Sequence, residues 1–310
     1  MVSAPIVEGR APFAIPSVKE ECFTYYKIIG DIASAKKTTP LICIHGGPSV
    51  GHEYLLCFGK LWFEKGIPVI LYDQIGCASS THLRDTIGDE SLWRESLFLD
   101  ELKNLISHLK LERYHILGHS WGACLGAVFA STRTKSDGLQ RLILFSPMAS
   151  LSLQNEKARE LLNELPPHLK DAIIKHDDKQ EYDKAEYEAA CVYFYKKHAY
   201  RDEPFPREAL ASSFANMADD ETVIFTMLGP EFARTTGSLR DWTNVPRLPH
   251  IEIPALLFNG EYDYVVSEAY ATGLKDVKAV VVAGASHMPF LESAGKEKVM
   301  KLVVEFLDEE

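Results

Sequence analysis

Short apolar runs punctuate the chain at LICIHGG, PVILYDQ, YHILGHS, LQRLILFSP, IPALLFNGEYD and KAVVVAGASH. Each has the length and β-branched content of a strand buried on both faces, and each runs out into Gly, Asp, Ser or His. Helix-period segments lie between them. The clearest is SLWRESLFLDELKNLISHLKL, in which Ser91 is placed to cap the start and Leu92, Leu99, Leu102, Ile106 and Leu109 fall on one face. Strands alternating with helices predict an α/β fold, a mostly parallel sheet with helices on both faces.

The alternation stops after Pro147 and resumes near Ile253. The interval is rich in charge and aromatic residues, as in EYDKAEYEAACVYFYKKHAYRDEPFP, with helical spacing and no buried-strand run. The chain is therefore expected to divide into a core, residues 1–147 and 253–310, split around a helical cap at 148–252.

Composition narrows the function. With 310 residues, 46% of them hydrophobic and 25% charged, the chain can bury a large core. A formal charge of −11 and the lack of a Lys/Arg stripe oppose a nucleic-acid partner. The six cysteines are scattered without a C-x-x-C pair, which suits reduced core thiols. The opening MVSAPIVEGRAPFAIP is broken by three prolines and has no apolar centre, so it does not read as a signal peptide. No run approaches the roughly 18 apolar residues of a membrane span. The expectation is a cytoplasmic protein.

Within YHILGHSWGACLGAVFA, Gly118 and Gly122 flank Ser120 between a strand and a helix. Such a G-x-S-x-G corner displays its serine on a strained elbow, although the bare motif also fits a simple tight turn. A serine hydroxyl needs a base, and the base needs an acid to fix its tautomer. NGEYDYV places Asp263, and GASHMPF places His287, just past two further strands. The order serine, acid, histidine at three strand ends is that of an α/β-hydrolase. Taken singly, Asp263 reads equally as a turn former and His287 as a structural histidine; Asp241 and Asp276 are rival acids, but neither directly follows a buried strand. HGGP after the first apolar run offers backbone donors for an oxyanion, with Gly46 against the substrate and the amides of Gly47 and Trp121 as the two donors. Asp73 in YDQIG is expected to bond its own loop. The histidines have no H-E-x-x-H spacing or other close ligand set, so neither metal nor cofactor is expected.

HGGP, YDQIG, GHSWG, GEYD and SHMPF, together with the cap segments EYEAACVYFYKKH and GPEFARTTGSLRDW, resemble the proline iminopeptidase branch of the α/β-hydrolases. The likeness covers nearly the whole chain and is closest to the tricorn-interacting aminopeptidases and the fungal L-amino acid amidases. It implies a serine hydrolase that removes an N-terminal residue or cleaves a small amino-acid amide, with cap carboxylates holding the free ammonium. By that resemblance Glu231 in GPEF is one carboxylate and Glu203 in RDEPFP the candidate second. The chain departs from the usual pattern at Ser49, where H-G-G-P-G is the rule, and at Gly76, Cys77, Ala78 and Ser80, where G-x-G-x-S is. Side chains there are expected to narrow or re-aim the pocket, which keeps open an esterase or amide-processing enzyme of a secondary-metabolite pathway. A ligand-binding protein that kept the fold without catalysis is the third reading.

Overall fold

The structure is a computed structural model that describes residues 4–33 and 38–308. Among the described residues one eight-stranded sheet runs in the order β1-β2-β4-β3-β5-β6-β7-β8. The strands are β1 (Ile6–Pro12), β2 (Phe23–Ile29), β3 (Leu41–Ile44), β4 (Val69–Tyr72), β5 (Tyr114–His119), β6 (Leu139–Phe145), β7 (Ala255–Gly260) and β8 (Val277–Val282). The six expected apolar runs are β3 to β8, and they pair in parallel. The first two strands were not expected. β1 pairs antiparallel to β2, and β2 antiparallel to β4, with Ile6 opposite Ile29 and Tyr26 opposite Tyr72.

Alternation along each central strand sorts side chains onto two faces. Ile42, Ile44, Ile70, Ile116, Leu142 and Leu144 join one core cluster with Phe98, Leu102 and Leu105 of α2 (Glu95–His108) and with α3 (Trp121–Ala130). Leu41, Cys43, Leu71, Leu117, Ile143 and Phe145 join the other, with Leu61 of α1 (Lys60–Lys65) and Val299, Val303 and Phe306 of α10 (Lys296–Asp308). Helix α2 starts at Glu95 and not at Ser91, because Asp89 Oδ1 accepts from the Ser91 amide and hydroxyl and holds that segment as a turn.

Between β6 and β7 lie α4 (Leu151–Asn163), α5 (Pro167–Lys179), α6 (Ala185–His198), α7 (Glu208–Asp219) and α8 (Thr222–Met227). Leu161, Leu162, Ile173, Tyr187, Ala190 and Phe194 form an apolar cluster of their own there, whereas Val223 and Met227 of α8 join the core under the sheet. A short helix α9 (Glu268–Gly273) precedes β8. Among the described residues no helix is long and apolar enough to cross a membrane. All six cysteines are free thiols.

Candidate active site

Because β3 and β5 to β8 are parallel, their C-terminal ends open on one edge of the sheet, where such sheets gather their ligands. Ser120 follows β5 directly, with φ 53° and ψ −120°. That backbone is costly for a residue with a side chain, and it throws the serine off the strand before α3 begins. The turn closes only around glycine: a Cβ on Gly122 would stand 2.2 Å from the Ile44 carbonyl oxygen, and one on Gly118 2.3 Å from that of Gly122.

Asp263 and His287 come together after β7 and β8. His287 Nδ1 lies 2.9 Å from Asp263 Oδ1, and both side chains are almost wholly buried. A carboxylate only accepts, so Nδ1 carries a proton, and in the neutral ring that leaves the Nε2 lone pair free. Asp263 is held from every side. Its Oδ1 also accepts from the Val265 amide at 2.9 Å, and its Oδ2 from Ser146 Oγ at 2.5 Å and Asn259 Nδ2 at 3.1 Å. Ser120 and His287 open into one cavity of about 590 Å³, bounded by the sheet edge and by α4, α6, α7 and α8. Of the rival acids, Asp241 is 98% exposed on the outer surface, and Asp276 serves through its carbonyl, which accepts from Ala255 at the start of β7.

Gly46 and Gly47 line the same cavity. Their amides differ in availability: Gly46 donates to Tyr54 Oη at 2.7 Å, whereas those of Gly47 and Trp121 have no acceptor among the described residues. The surrounding loops explain the YDQ motif. Gln74 accepts from Trp121 Nε1 at 3.0 Å, donates through Nε2 to the His45 carbonyl, and its amide meets His45 Nε2. Burial pulls the His45 imidazole down to about 4, which keeps it neutral for that task. Asp73 takes the His52 amide and Nδ1 on Oδ1 and the Ser79 amide on Oδ2, so it ties its loop to that of His52. His52, Glu53 and Asp73 place ligand atoms within 4.8 Å of one another, but the Asp73 oxygens are already engaged by three donors of the chain itself.

The family model described as alpha/beta hydrolase fold matches residues 39–294. Curated relatives include the proline iminopeptidase of Lactobacillus delbrueckii subsp. bulgaricus, 30% identical with 88% of this chain and 90% of the relative covered. That of Heyndrickxia coagulans is 32% identical, with 87% and 91% covered. The chain belongs to the proline iminopeptidase family of α/β-hydrolases. Among solved structures it is similar to VinJ, at 33% identity and TM-score 0.89 with 97% and 98% covered. It is also similar to the Mycobacterium smegmatis proline iminopeptidase, at 33% and 0.84 with 97% of each chain covered. The protein is an enzyme, a hydrolase of this family.

The segment between β6 and β7 only partly matches what the resemblance implied. Glu231 lines the cavity with its side chain 15% exposed. Glu203 does not reach it. Its carboxylate is 73% exposed, pairs with Lys196 at 3.1 Å and accepts from the Phe205 amide, because the proline-rich turn of residues 203–206 holds it on the outside. Ser49 and Ala78 do adopt left-handed backbone, with φ 98° and 49°, yet neither is part of the cavity wall: the Ser49 hydroxyl is buried without a partner, and Ala78 packs toward Gly51.

Several supports were missed in the sequence. Ser146 follows β6 with φ 53° and donates to Asp263 Oδ2. Buried Glu292 accepts from the Ser286 amide and hydroxyl, each at 2.6 Å, and from the Arg201 amide at 2.7 Å, clamping the loop that carries His287. His198, the last residue of α6, takes the His287 amide on its carbonyl at 3.2 Å and lies 2.9 Å from the Tyr262 carbonyl through Nδ1. A serine closing a strand and a glutamate in PFLE leave only faint marks in a sequence.

Proposed function

We propose that the protein is a cytoplasmic serine aminopeptidase or amino-acid amidase whose triad is Ser120, His287 and Asp263. Ser120 Oγ attacks the substrate carbonyl carbon while His287 Nε2 takes its proton. The oxyanion is received by the Gly47 and Trp121 amides. When the C–N bond breaks, His287 returns the proton to the departing amine, and water then hydrolyses the acyl-enzyme by the same route. Asp263 accepts from Nδ1 and holds the imidazole in place. Residues 148–252 act as a cap, and Glu231, in the loop after α8, receives the substrate's ammonium. Six free thiols suit a reducing compartment.

The observation that carries this reading is the single cavity shared by Ser120 on its elbow, the Asp263-held His287 and, from the cap, the partly buried Glu231. Labelling with a fluorophosphonate probe tests the nucleophile, with label on Ser120 expected and none on Ser120→Ala. Comparing kcat/KM for one aminoacyl amide, free and N-acetylated, tests the amine site. Blocking the amine removes the substrate's own charge interaction with Glu231, so kcat/KM should fall for the acetylated amide. Equal turnover of both substrates would favour the second reading, an esterase or amide-processing hydrolase for a larger apolar substrate. The cavity's volume and its walls of Phe194, Tyr195, Phe232 and Tyr264 support that alternative.

A further inference from the structure

The carboxylate assigned to the substrate's amine already holds a cation. Arg234 grips Glu231 in a fork, Nε to Oε2 at 2.6 Å and Nη2 to Oε1, so both carboxylate oxygens are engaged. The two partners differ in freedom. The Glu231 side chain is 15% exposed and the Arg234 side chain 67% exposed, although both line the cavity. The segment bearing them is pinned to neighbouring helices. The Phe232 amide donates to Asp177 Oδ1 of α5, the Thr235 amide and hydroxyl to Asn155 Oδ1 of α4, and Arg159 of α4 to the Ala233 carbonyl. Asp177 is itself fixed by the Tyr187 hydroxyl at 3.1 Å. Glu231 is thus the enclosed partner and Arg234 the one whose side chain can swing toward solvent.

We propose that Arg234 is a specificity-determining residue that competes with the substrate's ammonium for Glu231. The inference rests on the amine-binding reading above and adds a resident competitor to it. A free-amine substrate displaces the guanidinium toward solvent or shares the carboxylate with it. A substrate with a blocked amine leaves the pair intact. Arg234 therefore weakens the binding of cationic substrates, and in the empty enzyme it keeps Glu231 from lying desolvated and unpaired. An ion pair exposed on one side is modest in strength, so its removal is expected to change apparent affinity by about two- to fivefold.

The test uses Arg234→Gln, Arg234→Lys, Glu231→Gln and the double variant Arg234→Gln/Glu231→Gln, with one aminoacyl amide, free and N-acetylated. In Arg234→Gln the ratio of kcat/KM, free over acetylated, should rise about threefold over wild type, carried by KM. Arg234→Lys, which keeps the charge but loses the fork, should fall between. In the Glu231→Gln background the same Arg234 change should leave the ratio where Glu231→Gln alone puts it, an outcome that a merely structural arginine would not produce. A ratio that falls or does not move in Arg234→Gln, while the wild type prefers the free amine, overturns the competitor alone. No preference in either the wild type or Arg234→Gln overturns the amine site and the competitor together. A preference that emerges only in Arg234→Gln supports both.

Discussion

His119 Nε2 lies 3.1 Å from the carbonyl oxygen of His287. A carbonyl only accepts, so this nitrogen carries the proton, and His119 Nδ1 must accept from the Tyr54 hydroxyl at 2.8 Å. The Tyr54 oxygen in turn accepts from the Gly46 amide at 2.7 Å. Every proton in this chain therefore points one way, from the loop beside the proposed oxyanion site, through the elbow, to the histidine loop. Burial holds the His119 imidazole far below its ordinary value, so it stays neutral and the direction is fixed.

Tyr54→Phe keeps the ring packed against Phe290 and His119 but strips both hydrogen bonds. The Gly46 amide and His119 Nδ1 are left buried and unpaired, at a cost of about 2–4 kcal/mol in total. Urea denaturation should register that loss. Because the loop at Gly46 and Gly47 is released, kcat should fall more than KM rises. A variant with wild-type stability and wild-type kcat would show that the chain of bonds fixes nothing.

If Ser120 and His287 act as one unit, Ser120→Ala and His287→Ala should each lower kcat by on the order of a thousand-fold or more, and the double variant should lose little beyond either. Circular dichroism checks that all three are folded. Losses that multiply would mean independent roles and would remove the triad. Ser146→Ala is a graded control: it deletes one of the four donors on Asp263, and a smaller loss, about tenfold, is expected because three remain.

The parallel strands were legible as continuous apolar runs, and β3 to β6 are buried or nearly so throughout, but β8, expected to be buried on both faces, is an edge strand with Lys278, Ala279 and Val281 exposed. Ser120, Asp263 and His287 stood out for a related reason, since each is a polar residue placed shortly after an apolar run. β1 was not legible. It is exposed except at half-buried Gly9 and buried Ala11, because it is an edge strand paired on one side only, and IVEGRAP has no buried stripe to betray it. Tyr54, Ser146 and Glu292 act on residues brought near by the fold: Tyr54 meets His119 and Ser146 meets Asp263, each across a long stretch of chain. Glu203 illustrates the opposite hazard, in which a local likeness suggested a carboxylate that the turn carries to the surface. The Glu231 and Arg234 pair at three residues' separation was there to be read, but only the fold shows that one partner is enclosed and the other free.

Glu101 of α2 gives a pH signature that is independent of catalysis. Its carboxyl is fully buried, with Oε1 accepting from Thr24 Oγ1 at 2.6 Å and the Ile75 amide at 2.8 Å, and Oε2 without a partner. Desolvation pushes it up to about 8, with the nearby Asp73 carboxylate adding to the shift, against the two donors that favour the charge. In the unfolded chain a glutamate titrates near 4.3. Between those values the folded state binds the extra proton, so stability falls as pH rises: the contribution is fully present below about 4.3 and is lost as pH passes through about 8. Glu101→Gln keeps an acceptor for Thr24 and Ile75 and cannot ionise. Relative to the wild type it should gain stability between pH 6 and pH 9, by on the order of 2–4 kcal/mol. Urea midpoints of both proteins across that range measure the difference directly. Two curves that stay parallel from pH 6 to pH 9 would show that Glu101 does not titrate there in the folded protein.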